Sequence, residues 1–201
     1  EYIESVFMKY EHGYTVCIST QVGCNMGCSF CASGLNGKVR DLTASEMLSQ
    51  IMTAGKDNGV RISNVVMMGM GEPLDNFSNS VRFLQLVSAE EGLGIGLRHI
   101  SLSTSGVVTG IEKLKEYNFP ITLSVSLHAP NDKIRSSMMR VNKKWNIEAL
   151  LKACRDYQKV TTRRISFEYA LIDGVNDSDG CAKELAHILK GIMCHVNLIP
   201  A

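Results

Sequence analysis

Cys24, Cys28 and Cys31 form a Cys-x-x-x-Cys-x-x-Cys run inside Val22-Gly-Cys-Asn-Met-Gly-Cys-Ser-Phe-Cys-Ala32. Three thiolates are one fewer than a closed iron–sulfur cluster or a structural zinc site uses. A cubane held by three cysteines leaves one iron without a protein ligand, open to a small molecule carrying amino and carboxylate groups. Gly23 and Gly27 let the backbone pass close to a bulky cluster, as only a residue without Cβ can. A partial zinc site and three ordinary buried cysteines are the plain alternatives.

Further polar signals recur at points where strands are expected to end: Gly69-Met-Gly-Glu-Pro73, Ser103-Thr-Ser-Gly106 and Ser126-Leu-His128. Ligands of parallel α/β folds gather at the carboxyl ends of strands. Glu72, between Gly71 and Pro73, sits in a turn that is expected to be rigid. Its carboxylate can accept from an ammonium group, such as the amino group of S-adenosylmethionine, or be a solvated turn residue. Ser103 and Ser126 can bond a ribose or a carboxylate, although local backbone bonding is the common role of such serines. His128 is either a cofactor contact or a structural histidine. Phe30, between two of the cysteines, can lie against an adenine or pack in the core. Cys17, seven residues before Cys24, is an inert strand cysteine unless it faces the site, where it becomes a redox thiol. Cys154, Cys181 and Cys194 are assigned to the core. Lys38, Arg40, Lys143, Lys144, Arg163 and Arg164 are the best phosphate candidates, against the reading of solvated surface.

Positioning these groups requires a scaffold of alternating strands and helices. The apolar pattern predicts strands over 15–19, 64–68, 99–103, 122–127, 165–172 and 195–199. Helices are predicted over 44–57, 80–91, 110–116, 147–161 and 178–189. Thr43-Ala-Ser-Glu46 has the form of a capping box, and Asn176-Asp-Ser178 offers an N-cap for the last helix. The alternation implies βαβ crossovers and a parallel sheet. Six strands are too few for an eight-stranded barrel, so a partial barrel or an open doubly wound sheet fits.

The chain has 201 residues, 45% of them hydrophobic, which suits a single domain spanning 1–201. A net charge of +1 neither advertises nor excludes nucleic acid. Seven cysteines without a secretory pattern give the expectation of a reducing, cytoplasmic compartment. No apolar run is long enough to span a bilayer. A start on Glu1 and a stop at Pro200-Ala201 give the expectation of a piece of a longer protein.

The cysteine triad resembles the radical S-adenosylmethionine superfamily. With Cys17-Ile-Ser-Thr-Gln-Val-Gly-Cys24, Met67-Met-Gly-Met-Gly-Glu-Pro-Leu74, Leu102-Ser-Thr-Ser-Gly-Val107, Ser126-Leu-His-Ala-Pro-Asn-Asp132 and Asn197-Leu-Ile-Pro200, the chain is similar to the RlmN-type RNA adenine C2-methyltransferases. The related Cfr-type C8-methyltransferases share the cluster and Cys17; Pro73 after Glu72 favours the C2 group. The remaining rival is a non-catalytic iron–sulfur RNA-binding module.

The resemblance implies a partial (β/α)6 barrel of six parallel strands. It implies a 4Fe–4S cluster on Cys24, Cys28 and Cys31, and S-adenosylmethionine held by Gly71, Glu72, Ser103, Ser126, Leu127, His128 and Phe30. Substrates are 23S rRNA and certain tRNAs, the electron donor a protein such as flavodoxin, and the enzyme a monomer. The implied reaction is ping-pong. One S-adenosylmethionine methylates a cysteine near the C-terminus, which is expected to lie beyond Ala201. A second yields a radical that activates that methyl group for attack on the adenine. Glu4 matches the proposed proton acceptor. Cys17 matches the thiol that resolves the protein–RNA adduct by forming a disulfide. The family's N-terminal helical RNA-binding domain is also expected to be missing.

Overall fold

A computed structural model describes residues 2–200, which fall into two compact units. The first comprises the chain up to Asn25 with Ala32–Ser103 and Pro120–Thr122; the second comprises Met26–Cys31, Thr104–Phe119 and the chain from Leu123 on.

The first unit carries β1 (Val6–Tyr10), β2 (Gly13–Cys17), β3 (Gln21–Gly23), β4 (Lys38–Asp41), α1 (Ala44–Asn58), β5 (Asn64–Met67), α2 (Phe77–Ser88) and β6 (Ile100–Thr104). Strands β2, β5 and β6 pair in parallel in that order, and β1 adds an antiparallel edge beside β2. β3 and β4 form a separate hairpin. Side-chain alternation along the strands sends Val16, Val65, Met67, Ile100 and Leu102 into the core, with Phe83 and Leu84 of α2 and Met47 of α1. Cys17, Val66, Ser101 and Ser103 fall in the opposite phase. The capping box is present: Thr43 Oγ1 accepts from Glu46 N–H, and the Glu46 carboxylate accepts from Thr43 N–H.

The second unit carries α3 (Val108–Glu116), β7 (Thr122–Ser126), α4 (Asp132–Met138), α5 (Ile147–Thr161), β8 (Ile165–Leu171), α6 (Asp179–Ile188) and β9 (Cys194–Pro200). β7, β8 and β9 are parallel, and α3 packs on α5. Leu123, Val125, Ile165 and Phe167 are fully buried with Ile111, Leu114, Leu150 and Cys154. Ser178 caps α6 as expected, accepting from Cys181 N–H.

All six expected strands are present. β1 and the β3–β4 hairpin are additional, and so is α4, which follows a cap made by Asn131 to Ile134 N–H. α2 lies three residues earlier than the 80–91 expected. It begins as soon as Asn76 closes the preceding turn, and ends before Glu90 and Glu91, whose charges oppose a helix C-terminus. β2 stops at Cys17 instead of running to Ser19 because the chain turns to bond the loop after β5. Cys154 and Cys181 are buried as expected, while Cys194 is only half-buried.

Candidate active site

In the first unit, the segment that leads to Cys24 is tied to the Gly69–Glu72 turn. Gly69 N–H donates to Ile18 C=O, Thr20 and Gln21 N–H donate to Met70 C=O, and Met70 N–H donates to Ser19 Oγ. Contact is so close that a Cβ on Gly69 would stand 2.8 Å from the Ile18 carbonyl. Gly71 has φ +106°, and a Cβ there would meet Gln21 at 2.6 Å, so both demands exclude other residues. Glu72 is buried at 2% exposure. Its N–H donates to Gln21 Oε1 at 2.8 Å, and its Oε1 accepts from Leu74 N–H at 3.0 Å. These bonds hold the carboxylate inside the turn.

Gln21 is given no role of its own by the sequence, yet it is fully buried at the centre of a polar network. Its Nε2 donates to Asp41 and to Asp75, 2.8 Å each, and Lys38 Nζ bridges the same two carboxylates at 3.1 and 2.8 Å. Burial acts to raise the Asp75 pKa, but the hydrogen bonds from Lys38 and Gln21 outweigh it, and the net shift is downward. Bonding to Asp75 raises the Lys38 pKa. Arg40 is paired to Glu46, whose pKa it holds down to about 2. Lys38 and Arg40, considered as phosphate ligands, are therefore both engaged within the protein.

Cys17 lines a cleft of about 560 Å³ with Met8, Thr15, Met68, Ser101 and Thr122. Burial raises its pKa, and a hydrogen bond with the Met68 backbone partly opposes that. Ser103 lies on the same side of β6 as Ser101, half-buried. Glu4 is exposed, and its carbonyl accepts from Ser19 Oγ at 2.6 Å. Cys24 is buried, and its N–H donates to Gly37 C=O.

In the second unit, Cys28 packs half-buried against Ala129, Met138, Met139 and Val141, and Cys31 is exposed. Ser29 N–H donates to Met138 C=O, and Cys31 N–H to Cys28 C=O. Gly27 adopts φ +62°, and the Arg140 side chain lies where its Cβ would be, 2.9 Å away. Phe30 meets the His128 ring edge to face at 4.9 Å. His128 has φ +55°, unusual without glycine. Its Nδ1 accepts from Ala170 N–H at 2.9 Å, so the neutral ring carries its proton on Nε2. Burial, then the Arg135 charge, lowers its pKa to about 4. His128 thus has a structural duty at Nδ1, while its ring faces Phe30.

Arg135 is the second residue that the sequence pattern hides. It is fully buried on α4. Its guanidinium donates to the carbonyls of Leu127 (3.1 Å), Ser126 (2.9 Å) and Ser105 (2.6 Å), and to Asn142 Oδ1 (2.9 Å). It therefore fixes the backbone of the Ser126-Leu127 segment. Asn176 fixes the next residue by donating to His128 C=O at 2.7 Å.

None of the seven cysteines is in a disulfide, so the one expected of Cys17 is absent among the described residues. No three His, Cys, Asp or Glu side chains are grouped there for a single metal ion. A cubane cluster holds its thiolates farther apart than one ion does. Three cysteines on one short loop, none of them consumed in a disulfide, suit such a cluster. No helix among the described residues is long and apolar enough to cross a membrane.

This loop and the strand-end polar groups belong to a known class. The radical SAM superfamily model matches residues 18–182, and the chain belongs to that superfamily. Membership implies a 4Fe–4S cluster and S-adenosylmethionine as cofactors.

Two similar proteins are each described as a "Probable dual-specificity RNA methyltransferase RlmN". The one from Alkaliphilus oremlandii is 58% identical over 98% of this chain and 58% of its own. The one from Clostridium tetani is 57% identical over 98% of this chain and 57% of its own. The crystal structure of a radical SAM methyltransferase from Sphaerobacter thermophilus superposes with a TM-score of 0.94 at 50% identity, covering 98% of this chain and 58% of that one. The fold is therefore the α/β partial barrel of the radical SAM type. The chain spans somewhat over half the length of the relatives it matches.

Proposed function

We propose that this chain is the core of an RlmN-type RNA methyltransferase that methylates C2 of an adenosine in 23S rRNA and certain tRNAs by ping-pong transfer. The observation that carries this is identity of 58% over nearly the whole chain with a relative described as an RNA methyltransferase of that type. When bound, the cluster and S-adenosylmethionine supply one-electron chemistry able to activate an unreactive methyl group. The protein's own groups hold and orient. Cys24, Cys28 and Cys31 are the cluster ligands. Glu72 accepts from the cofactor's ammonium group, with the Gly71 backbone beside it. Ser103, Ser126, Leu127 and His128 line the remainder, and Phe30 lies against the adenine. Cys17 is the resolving thiol, and its pairing is transient, with a cysteine outside this chain. Glu4, exposed just ahead of β1, takes the ring proton. The reaction places the enzyme in the reducing cytoplasm, with an electron donor of the flavodoxin type.

Anaerobic reconstitution is expected to give about four irons per chain, as for a cubane. With a reductant and RNA, the full-length enzyme is expected to form 2-methyladenosine, read by mass spectrometry of digested RNA. A product methylated at C8 would assign the chain to the Cfr type, and tight zinc without iron uptake would refute the cluster.

A further inference from the structure

A buried arginine ordinarily has a carboxylate partner, because an unpaired charge in a protein interior is costly. Arg135 has none among its hydrogen bonds: its acceptors are three backbone carbonyls and the Asn142 carboxamide. The nearest acid in sequence, Asp132, is occupied by Asn142 Nδ2 at 2.9 Å and Ile147 N–H at 2.8 Å. The guanidinium is thus a fixed positive charge whose hydrogen-bond acceptors are all neutral.

The same helix carries the cluster loop. Met138, at the end of α4, receives the Ser29 N–H, and Cys28 packs against Met138 and Met139. Arg140 lies over Gly27, next to Cys28. Burial lowers the Arg135 pKa to about 10, against opposing interactions with Cys28 and Asp132, so it stays cationic at neutral pH. A cubane bound by three thiolates carries net negative charge and gains more on reduction. A buried cation favours the more negative state, and cluster potentials respond to local charge.

We infer that Arg135 is the built-in counter-charge of the iron–sulfur cluster: it raises the cluster's reduction potential through Cys28 and anchors the Ser126–Leu127 backbone. It is a positioning residue. The inference rests on the assignment of Cys28 as a cluster ligand.

The test is a redox titration of the reconstituted protein, followed by electron paramagnetic resonance with dithionite as the reductant. Arg135→Met is expected to lower the reduced-to-oxidised ratio at fixed potential about tenfold, which is about 59 mV for a one-electron couple. Arg135→Lys keeps the charge and is expected to stay within threefold of wild type. Asn142→Asp sets a carboxylate against the same guanidinium and is expected to shift the ratio in the direction of Arg135→Met. If Arg135→Met does not fold, the contrast between Arg135→Lys, which retains the charge, and Asn142→Asp, which neutralises it, decides. A wild-type potential in Arg135→Met or Asn142→Asp, measured at full iron content, would overturn the inference. Absence of iron in the wild-type protein would overturn the ligand assignment beneath it.

Discussion

Glu72 N–H donates to Gln21 Oε1 at 2.8 Å, while the other end of the same buried carboxamide holds Asp41 and Asp75. Two carboxylates can only accept and a backbone N–H can only donate, so the orientation of the amide is determined by its partners. This side chain adds to the bonds that tie the segment entering Cys24 to the turn that carries Glu72. The approach to Cys24 and the Glu72 turn are thereby linked within the first unit of the fold.

Gln21→Leu removes that link at nearly constant volume. It strips Glu72 N–H of its acceptor, at about 1–3 kcal/mol for a buried group left unsatisfied, and leaves Asp41 and Asp75 with Lys38 as their remaining partner. Thermal unfolding is expected to occur at clearly lower temperature, and affinity for S-adenosylmethionine to fall. Gln21→Glu, which adds a third carboxylate to the cluster of acids, is expected to be at least as damaging. Unfolding and binding like wild type in both variants would contradict this account.

Glu72→Gln separates charge from shape. The carboxamide retains an oxygen for Leu74 N–H, so the turn is expected to survive with normal stability. Loss of a charge-assisted hydrogen bond is expected to weaken S-adenosylmethionine binding by about 1.5–3 kcal/mol. Calorimetric titration of the reconstituted variant measures this, with iron content as the control. Unchanged affinity would remove Glu72 from the cofactor site.

The parallel strands are legible because their alternation leaves one face apolar, as in Val65, Met67, Ile100 and Leu102. β1 and β4 are not: Val6 is 52% and Val39 63% exposed, so no buried face marks them. α4 escapes for the opposite reason, since its most buried position holds Arg135, where an apolar pattern demands a hydrophobe. Gln21 hides in the same way. The motifs Gly69–Pro73 and Ser126–His128 are visible as residue types at strand ends. The buried polar groups that hold them are chosen by partners distant in sequence, Asp75 lying 54 residues from Gln21. Such pairing leaves no local trace.

His128 makes stability depend on pH. Its pKa falls from 6.5 to about 4 on folding, so between those values the unfolded chain binds more protons than the folded one. Stability therefore rises with pH across that window and is lost as pH falls through it. The full contribution is about 3 kcal/mol at 1.36 kcal/mol per pH unit. His128→Asn tolerates the left-handed backbone and does not titrate. Urea unfolding at a series of pH values is expected to show a flatter curve for this variant between pH 4 and 6.5. An unchanged slope would mean that folding does not lower the His128 pKa.

Cys17 offers the sharpest separation of chemistry from structure. It lies in the cleft beside Met8, Met68 and Ser101, outside the loop that bears Cys24, Cys28 and Cys31. Cys17→Ala is therefore expected to spare iron content and cofactor cleavage. In the full-length enzyme it is expected to trap a protein–RNA adduct, visible as an RNA-linked band on a denaturing gel. The wild-type thiol also predicts a pH dependence. Burial raises its pKa, so only a small fraction is thiolate at neutral pH, and thiolate is the attacking species. Release of RNA from the wild-type adduct is expected to accelerate as pH rises from 7 to 9, roughly in proportion to the thiolate fraction while that fraction is small. A buried structural cysteine would give neither effect: the alanine variant would turn over normally, with at most a modest loss of stability. Normal product formation without an RNA-linked band would refute the assigned role.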